Sequence, residues 1–122
     1  MITTEQINHY KNKGYVVIEN AIPQDKLKEL QHVTDEYVAN SKNVVVNDEV
    51  YDLADEHSPT NPNLRRLKNP HMLHKVYENI TIDACILDIV EKLVGKNIRR
   101  DHTKLNFKSA KGGESIEWHQ DW

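Results

Sequence analysis

The sequence predicts an α+β domain with helices first and strands after them, and three observations carry that expectation. Apolar residues recur at three- and four-residue spacing between Thr81 and Val94, the period of a helix with one buried face. Residues from Ile98 to Lys108 alternate in part, with Leu105 and Phe107 on one face and Lys104, Asn106 and Lys108 on the other, as in a strand. Gly112-Gly113 then permits a turn, so that Ile116 to Asp121 can return as a second strand.

The elements follow in order. Thr3 or Thr4 can cap a first helix, and Gln6 stands three residues after Thr3, the spacing of a capping box. Ile7 and Tyr10 supply its apolar face, and Gly14 is its stop. Tyr15-Val16-Val17-Ile18 reads as a buried strand, because β-branched and aromatic residues suit a pleated surface. Pro23 suits the first turn of a second helix, where its missing N–H is no loss. Leu27, Leu30, Val33 or Thr34, Tyr37 and Val38 carry that helix to about Ala39.

Between Asn40 and Pro70 the periodicity weakens. Val44-Val45-Val46 is a strand candidate, Asp48 to Glu56 is acidic, and Pro59, Pro62 and Pro70 punctuate the rest. The segment reads as irregular structure containing short strands, one of them near Arg66-Leu67, and Met72 to Ile80 as a short helix. Asp83 falls in the first turn of the strongest helix, where the dipole favours an anion, and Gly95 ends it.

At 122 residues, with 38% apolar and 29% charged side chains, the chain reads as one soluble globular domain over residues 1–122. A net charge of −3 with both signs interspersed gives no basic footprint for nucleic acid or an anionic membrane surface. No apolar run is long enough to span a bilayer. The start of the chain lacks the basic-then-apolar pattern of a signal peptide, so a cytoplasmic protein is expected. The single cysteine excludes an internal disulfide and fits a reducing compartment. Cys85 lies among apolar neighbours at helical spacing and reads as a buried structural thiol.

Chemistry concentrates in Trp118-His119-Gln120-Asp121-Trp122. On a strand, His119 and Asp121 project to the same face. One imidazole and one carboxylate are two of the three ligands of a 2-His-1-carboxylate triad, which leaves positions open on Fe(II) for a chelating co-substrate and O₂. The tripeptide alone is better read as a surface histidine and aspartate near a strand end.

Its context adds more. Lys104-Leu105-Asn106-Phe107-Lys108, the Gly-Gly turn and then Trp118-His119-Gln120-Asp121 together resemble the phytanoyl-CoA dioxygenase family of Fe(II)- and 2-oxoglutarate-dependent oxygenases. Gly14 to Ile18 followed by a helix near Pro23 is similar to that family's usual start, as is a helix ending Glu91-Lys92-Leu93-Val94-Gly95 and running into a strand. The resemblance implies the opening strands of a double-stranded β-helix, or jelly roll, incomplete in this chain.

Carried over residue by residue, His119 and Asp121 match the proximal iron ligands. Asn106 matches a 2-oxoglutarate contact, and Ile116 an apolar residue that packs on the co-substrate. Arg66 matches a basic residue that reaches the co-substrate, across loops of variable length; a solvated surface arginine is its alternative. Trp118 is expected to pack and orient the strand. Iron-dependent halogenases have a small residue where Asp121 stands, so the resemblance implies hydroxylation of a small or acyl-type organic substrate, with 2-oxoglutarate decarboxylated to succinate.

The family's distal histidine and co-substrate arginine lie well downstream of the His-x-Asp motif. The expectation is therefore a fragment, inactive alone, that joins a missing C-terminal half or self-associates. Two rivals remain: a non-catalytic remnant or interaction module, and a zinc- or nickel-binding protein using His119, Asp121 and a histidine such as His102. His9 and His32 are expected at helix edges, and His57, His71 and His74 in solvated loops.

Overall fold

In the computed structural model, residues 2–108 and 117–119 are described. Five helices and a three-stranded sheet are present among them: α1 (Thr4–Lys13), α2 (Gln24–Asn40), β1 (Tyr51–Leu53), β2 (Leu64–Lys68), α3 (Pro70–Leu73), α4 (Lys75–Thr81), α5 (Ala84–Val94) and β3 (Lys104–Asn106). A single 3₁₀ turn at Ser41–Asn43 closes α2. This is the α+β mixture that the patterning predicts; the jelly roll is a larger architecture than three short strands establish. No described helix is long and apolar enough to cross a membrane.

Local chemistry sets the helix ends. The Thr3 hydroxyl accepts from the Gln6 N–H at 3.2 Å, and Gln6 Oε1 accepts from the Thr3 N–H at 2.9 Å, completing the capping box. Gly14 adopts φ 81°, and its N–H donates to the Tyr10 carbonyl, a left-handed stop that glycine takes without steric penalty. Pro23 stands just before α2 as its N-cap. Asp83 caps α5, accepting from the N–H groups of Cys85 and Ile86, so α5 starts three residues later than Thr81. Thr81 closes α4 instead. The stretch from Met72 to Ile80 is two short helices, broken at His74, whose extended backbone and Nδ1 acceptor cap α4.

The sheet is antiparallel in the order β1-β2-β3. Tyr51, Leu67 and Leu105 stand opposite one another across its three strands. This face packs on the helices: Val33 of α2 and Tyr77 of α4 join Tyr51, Leu64 and Leu67 in the core, with Leu67 fully buried. Register shifts between Asp52 and Leu53, which leaves Arg65 as an extra residue on β2. That bulge lets Leu64 and Leu67, three apart, both reach the core. Tyr37 lies between Tyr51 and Tyr77 with ring centroids 6.3 and 6.2 Å away. The Thr34 hydroxyl donates to the Leu30 carbonyl, so the Tyr77 hydroxyl donates to Thr34 Oγ1 at 2.8 Å. Burial pushes the Tyr51 and Tyr77 phenols up, which keeps both as neutral donors.

Four expectations are corrected. Tyr15 to Ile18 is not a strand: no described strand pairs with it, and Tyr15 and Val17 are exposed. Val44-Val45-Val46 is not a strand either; pairing begins at Tyr51, because Asp48 and Asn47 side chains take the N–H groups of Val50, Tyr51 and Leu53 and organise the turn into β1. Cys85 is exposed, since it stands two positions after the α5 cap, off the inward stripe. His57 is half-buried: its Nδ1 accepts from the Asn63 N–H, so its Nε2–H donates to the Val44 carbonyl at 3.0 Å. The imidazole thereby clasps both ends of the loop that includes β1.

Two outcomes follow. Leu67→Ala is expected to destabilise the fold by about 2–5 kcal/mol, the cost of truncating a fully buried leucine, read as a lower urea midpoint with little change in slope. The second concerns Asp83. Its hydrogen bond from Lys26, aided by the Cys85 and Ile86 N–H groups, holds its carboxyl below the ordinary range, and the same contact raises Lys26. A lowered carboxylate contributes stability above its unfolded pKa and loses it as pH falls through the folded one. Asp83→Asn is therefore expected to unfold at lower urea than the parent at neutral pH, with the gap closing as the pH falls through and below the ordinary aspartate range.

Candidate functional site

The face of the sheet turned away from the helices is polar. Alternation puts Arg66 and Lys68 opposite to Leu67 on β2, and Lys104 and Asn106 opposite to Leu105 on β3. Register then sets Asp52 beside Arg66, Arg66 beside Asn106, and Lys68 beside Lys104. Arg66 Nε donates to Asn106 Oδ1 at 3.3 Å, and Arg66 Nη1 lies 3.8 Å from Asp52 Oδ2. A row Asp52–Arg66–Asn106 thus crosses all three strands, although Arg66 and Asn106 are forty residues apart in sequence.

The row suits an anion. Arg66 has five N–H donors, of which one serves Asn106 and another faces Asp52. With Asn106 Oδ1 engaged, its Nδ2 group offers donors, the polarity a carboxylate ligand requires. The side chain of Asp52 is 14% exposed and that of Arg66 36%, so the pair is held at the sheet surface.

Of the motif residues, His119 is described and Asp121 lies outside the described residues, as does Ile116. The His119 ring is exposed, and its Nδ1 lies 2.7 Å from the Glu117 carbonyl. A carbonyl can only accept, so Nδ1 carries the proton and Nε2 has the lone pair. That is the tautomer a metal-binding histidine adopts when a backbone carbonyl orients it. One imidazole in this form and the Asp121 carboxylate are donors that suit Fe(II).

Among the described residues, no three His, Cys, Asp or Glu side chains gather as a metal site. His102 pairs with the adjacent Asp101 at 2.8 Å, His71 Nδ1 meets Thr103 Oγ1 at 2.6 Å, and His32 faces Glu36. His71 therefore fastens α3 to the approach of β3, a structural duty in place of the solvated loop position expected. Trp118 is fully exposed and packs on nothing described.

Sequence reasoning put Lys104 and Asn106 on one strand face but missed Asp52 and Lys68 as their neighbours. Asp52 stood in an acidic stretch read as irregular, and nothing local announces a partner that strand register supplies. A cleft of about 500 Å³ lies elsewhere, lined by Gln6, Val17, Ile18, Cys85, Asp88 and Ile89 among others. It shares no residue with the polar row or the His119 segment.

The phytanoyl-CoA dioxygenase family profile matches residues 10–122. A probable alpha-ketoglutarate-dependent hypophosphite dioxygenase of Stutzerimonas stutzeri is 29% identical over 118 residues, covering 97% of this chain and 41% of that protein. An ectoine dioxygenase of Sphingopyxis alaskensis is 22% identical over 121 residues, covering 99% of this chain and 38% of that protein. The chain spans about two fifths of the length of these relatives.

Because the Arg66–Asn106 contact is a surface hydrogen bond, Arg66→Met is expected to cost no more than about 1 kcal/mol of stability. It should nonetheless shift the side-chain amide resonance of Asn106 in a nitrogen–proton spectrum. An unmoved resonance would show that the two side chains do not meet in solution.

Proposed function

The chain belongs to the phytanoyl-CoA dioxygenase family, and on that premise we propose that it carries the metal-binding and co-substrate-binding strands of an Fe(II)- and 2-oxoglutarate-dependent dioxygenase that hydroxylates a small substrate. The observation that carries this reading is the cross-strand contact of Arg66 and Asn106, the two residues separately expected to reach the co-substrate. They converge on one face through strand register alone.

In this reading His119, through Nε2, and Asp121 hold the iron. The bound iron and 2-oxoglutarate supply the oxidative chemistry. The protein's own residues bind and orient. Glu117, through its carbonyl, holds the His119 ring in the ligating tautomer. Asn106 donates from Nδ2 to a 2-oxoglutarate oxygen. Arg66 adds positive charge beside it, and Asp52 fixes the guanidinium so that it is already oriented when the dianion arrives. Ile116 covers an apolar side of the co-substrate.

The presence of Asp121 favours hydroxylation over halogenation, since the carboxylate fills the position a halide would need. The relatives' names span an inorganic oxyanion and an organic zwitterion, so small size is the property proposed for the substrate here, organic or acyl-type in the first instance.

In the full-length polypeptide, His119→Ala and Asp121→Ala are each expected to abolish 2-oxoglutarate-dependent succinate formation, because each removes a ligand. Asn106→Ala should weaken 2-oxoglutarate by about 1–2 kcal/mol, the loss of one charge-assisted hydrogen bond. Titration of the co-substrate against succinate release measures both. An unchanged 2-oxoglutarate affinity in Asn106→Ala would remove that residue from the site.

A further inference from the structure

Lys68 and Lys104 stand directly opposite each other on β2 and β3. Paired residues share a face and lie about 4.5–5.5 Å apart at Cα, and like charges so placed destabilise a sheet. Arg66 is on the same face one pair along, and Asn106 faces it. The one acidic residue in this register, Asp52, is already beside Arg66. Lys68 is tied by its Nζ to the Asp48 carbonyl at 2.7 Å, a contact that orients the ammonium and leaves its charge intact. The Lys104 side chain is exposed and has no hydrogen bond or ion pair among the described residues. Two positive charges in excess therefore sit about two residues, or roughly 7 Å, from the Arg66–Asn106 pair along the strands.

We propose that Lys104, backed by Lys68, binds the substrate as a compact anion, at a subsite next to the co-substrate position on the same sheet face. The inference rests on the oxygenase reading only for the word substrate; the anion subsite itself rests on register and charge. A small anion held by the Lys104 ammonium, with Lys68 on its Asp48 tether adding a second positive charge on the same face, offsets the like charge that the register sets there. A neutral or cationic substrate would leave that repulsion in place. Separation from Asn106 by one alternate position keeps the anion and the co-substrate on one face without placing them on the same donors.

The test titrates the full chain with sodium phosphite at constant ionic strength, read by phosphorus NMR line broadening and by the thermal midpoint, with acetamide as a neutral control and 2-oxoglutarate titrated separately. Saturable phosphite binding is expected, weakened at least tenfold by Lys104→Gln and retained by Lys104→Arg, with no response to acetamide. Lys104→Gln should also raise the melting midpoint of the ligand-free chain, since it relieves repulsion with Lys68; a merely structural lysine would lower it. Its 2-oxoglutarate affinity should stay at the parent value. Absence of phosphite binding, or binding that Lys104→Gln leaves unchanged, overturns the proposal. Equal loss of phosphite and 2-oxoglutarate overturns it as well, by making Lys104 part of the co-substrate site. Failure of 2-oxoglutarate to bind while phosphite behaves as expected would sink the oxygenase reading and leave the anion subsite standing.

Discussion

Strand β2 has neighbours on both sides, and its two-residue alternation ties the core to the chemistry. Leu67 points into the helices and is fully buried; Arg66 and Lys68, on either side of it, must point the other way. A slip of one residue would exchange the two sets, burying an arginine and a lysine against Val33 and Tyr77 while exposing the core leucine. The cost of an unpaired buried charge greatly exceeds that of a lost methylene contact. Core burial therefore enforces the register that brings Arg66 to Asn106. The bulge at Arg65 is a local adjustment to this demand, since it lets Leu64 return to the core without shifting Arg66.

The helices serve that arrangement. α2 and α4 present Val33, Tyr37 and Tyr77 to the sheet, and two of the tyrosine hydroxyls meet definite partners, Thr34 for Tyr77 and the Leu73 carbonyl for the half-buried Tyr37. α5 is more loosely attached, with no fully buried residue and an exposed Ile82 and Val94 near its ends. Its cap residue Asp83 also meets Lys26 of α2. The most strongly amphipathic helix in the sequence is thus not the one that builds the core around the site. Apolar periodicity reports that a helix has a face to cover, and says nothing of how completely the face is covered.

A sheet with one apolar face on helices and one polar face carrying Asp52, Arg66, Lys68, Lys104 and Asn106 suits the binding role proposed for it. Rigid strands hold the side chains, and the excess of positive charge selects ligands by sign before shape is considered. Small anions are well served by such a surface, because a few donors at fixed spacing can satisfy most of a small ion's oxygens.

What the sequence determined by itself was whatever depends on near neighbours. The Thr3–Gln6 capping box, the Gly14 stop, the Gly95 end of α5 and a strand at Arg66-Leu67 depend on near neighbours, so their residue types announce them. The order of Asn106, the glycine pair and the His119–Asp121 motif likewise announced the family. Tertiary structure decided the rest. Nothing near Asp52 predicts its place beside Arg66, and nothing near Lys104 predicts Lys68 opposite it. Those pairings follow from long-range register, which the buried leucines set. The same holds for His57, which reads as a loop residue until the fold brings the Val44 carbonyl to its Nε2. It holds too for Tyr15 to Ile18, because a β-branched run becomes a strand only when another backbone satisfies its N–H and C=O groups, and strand propensity cannot supply that partner.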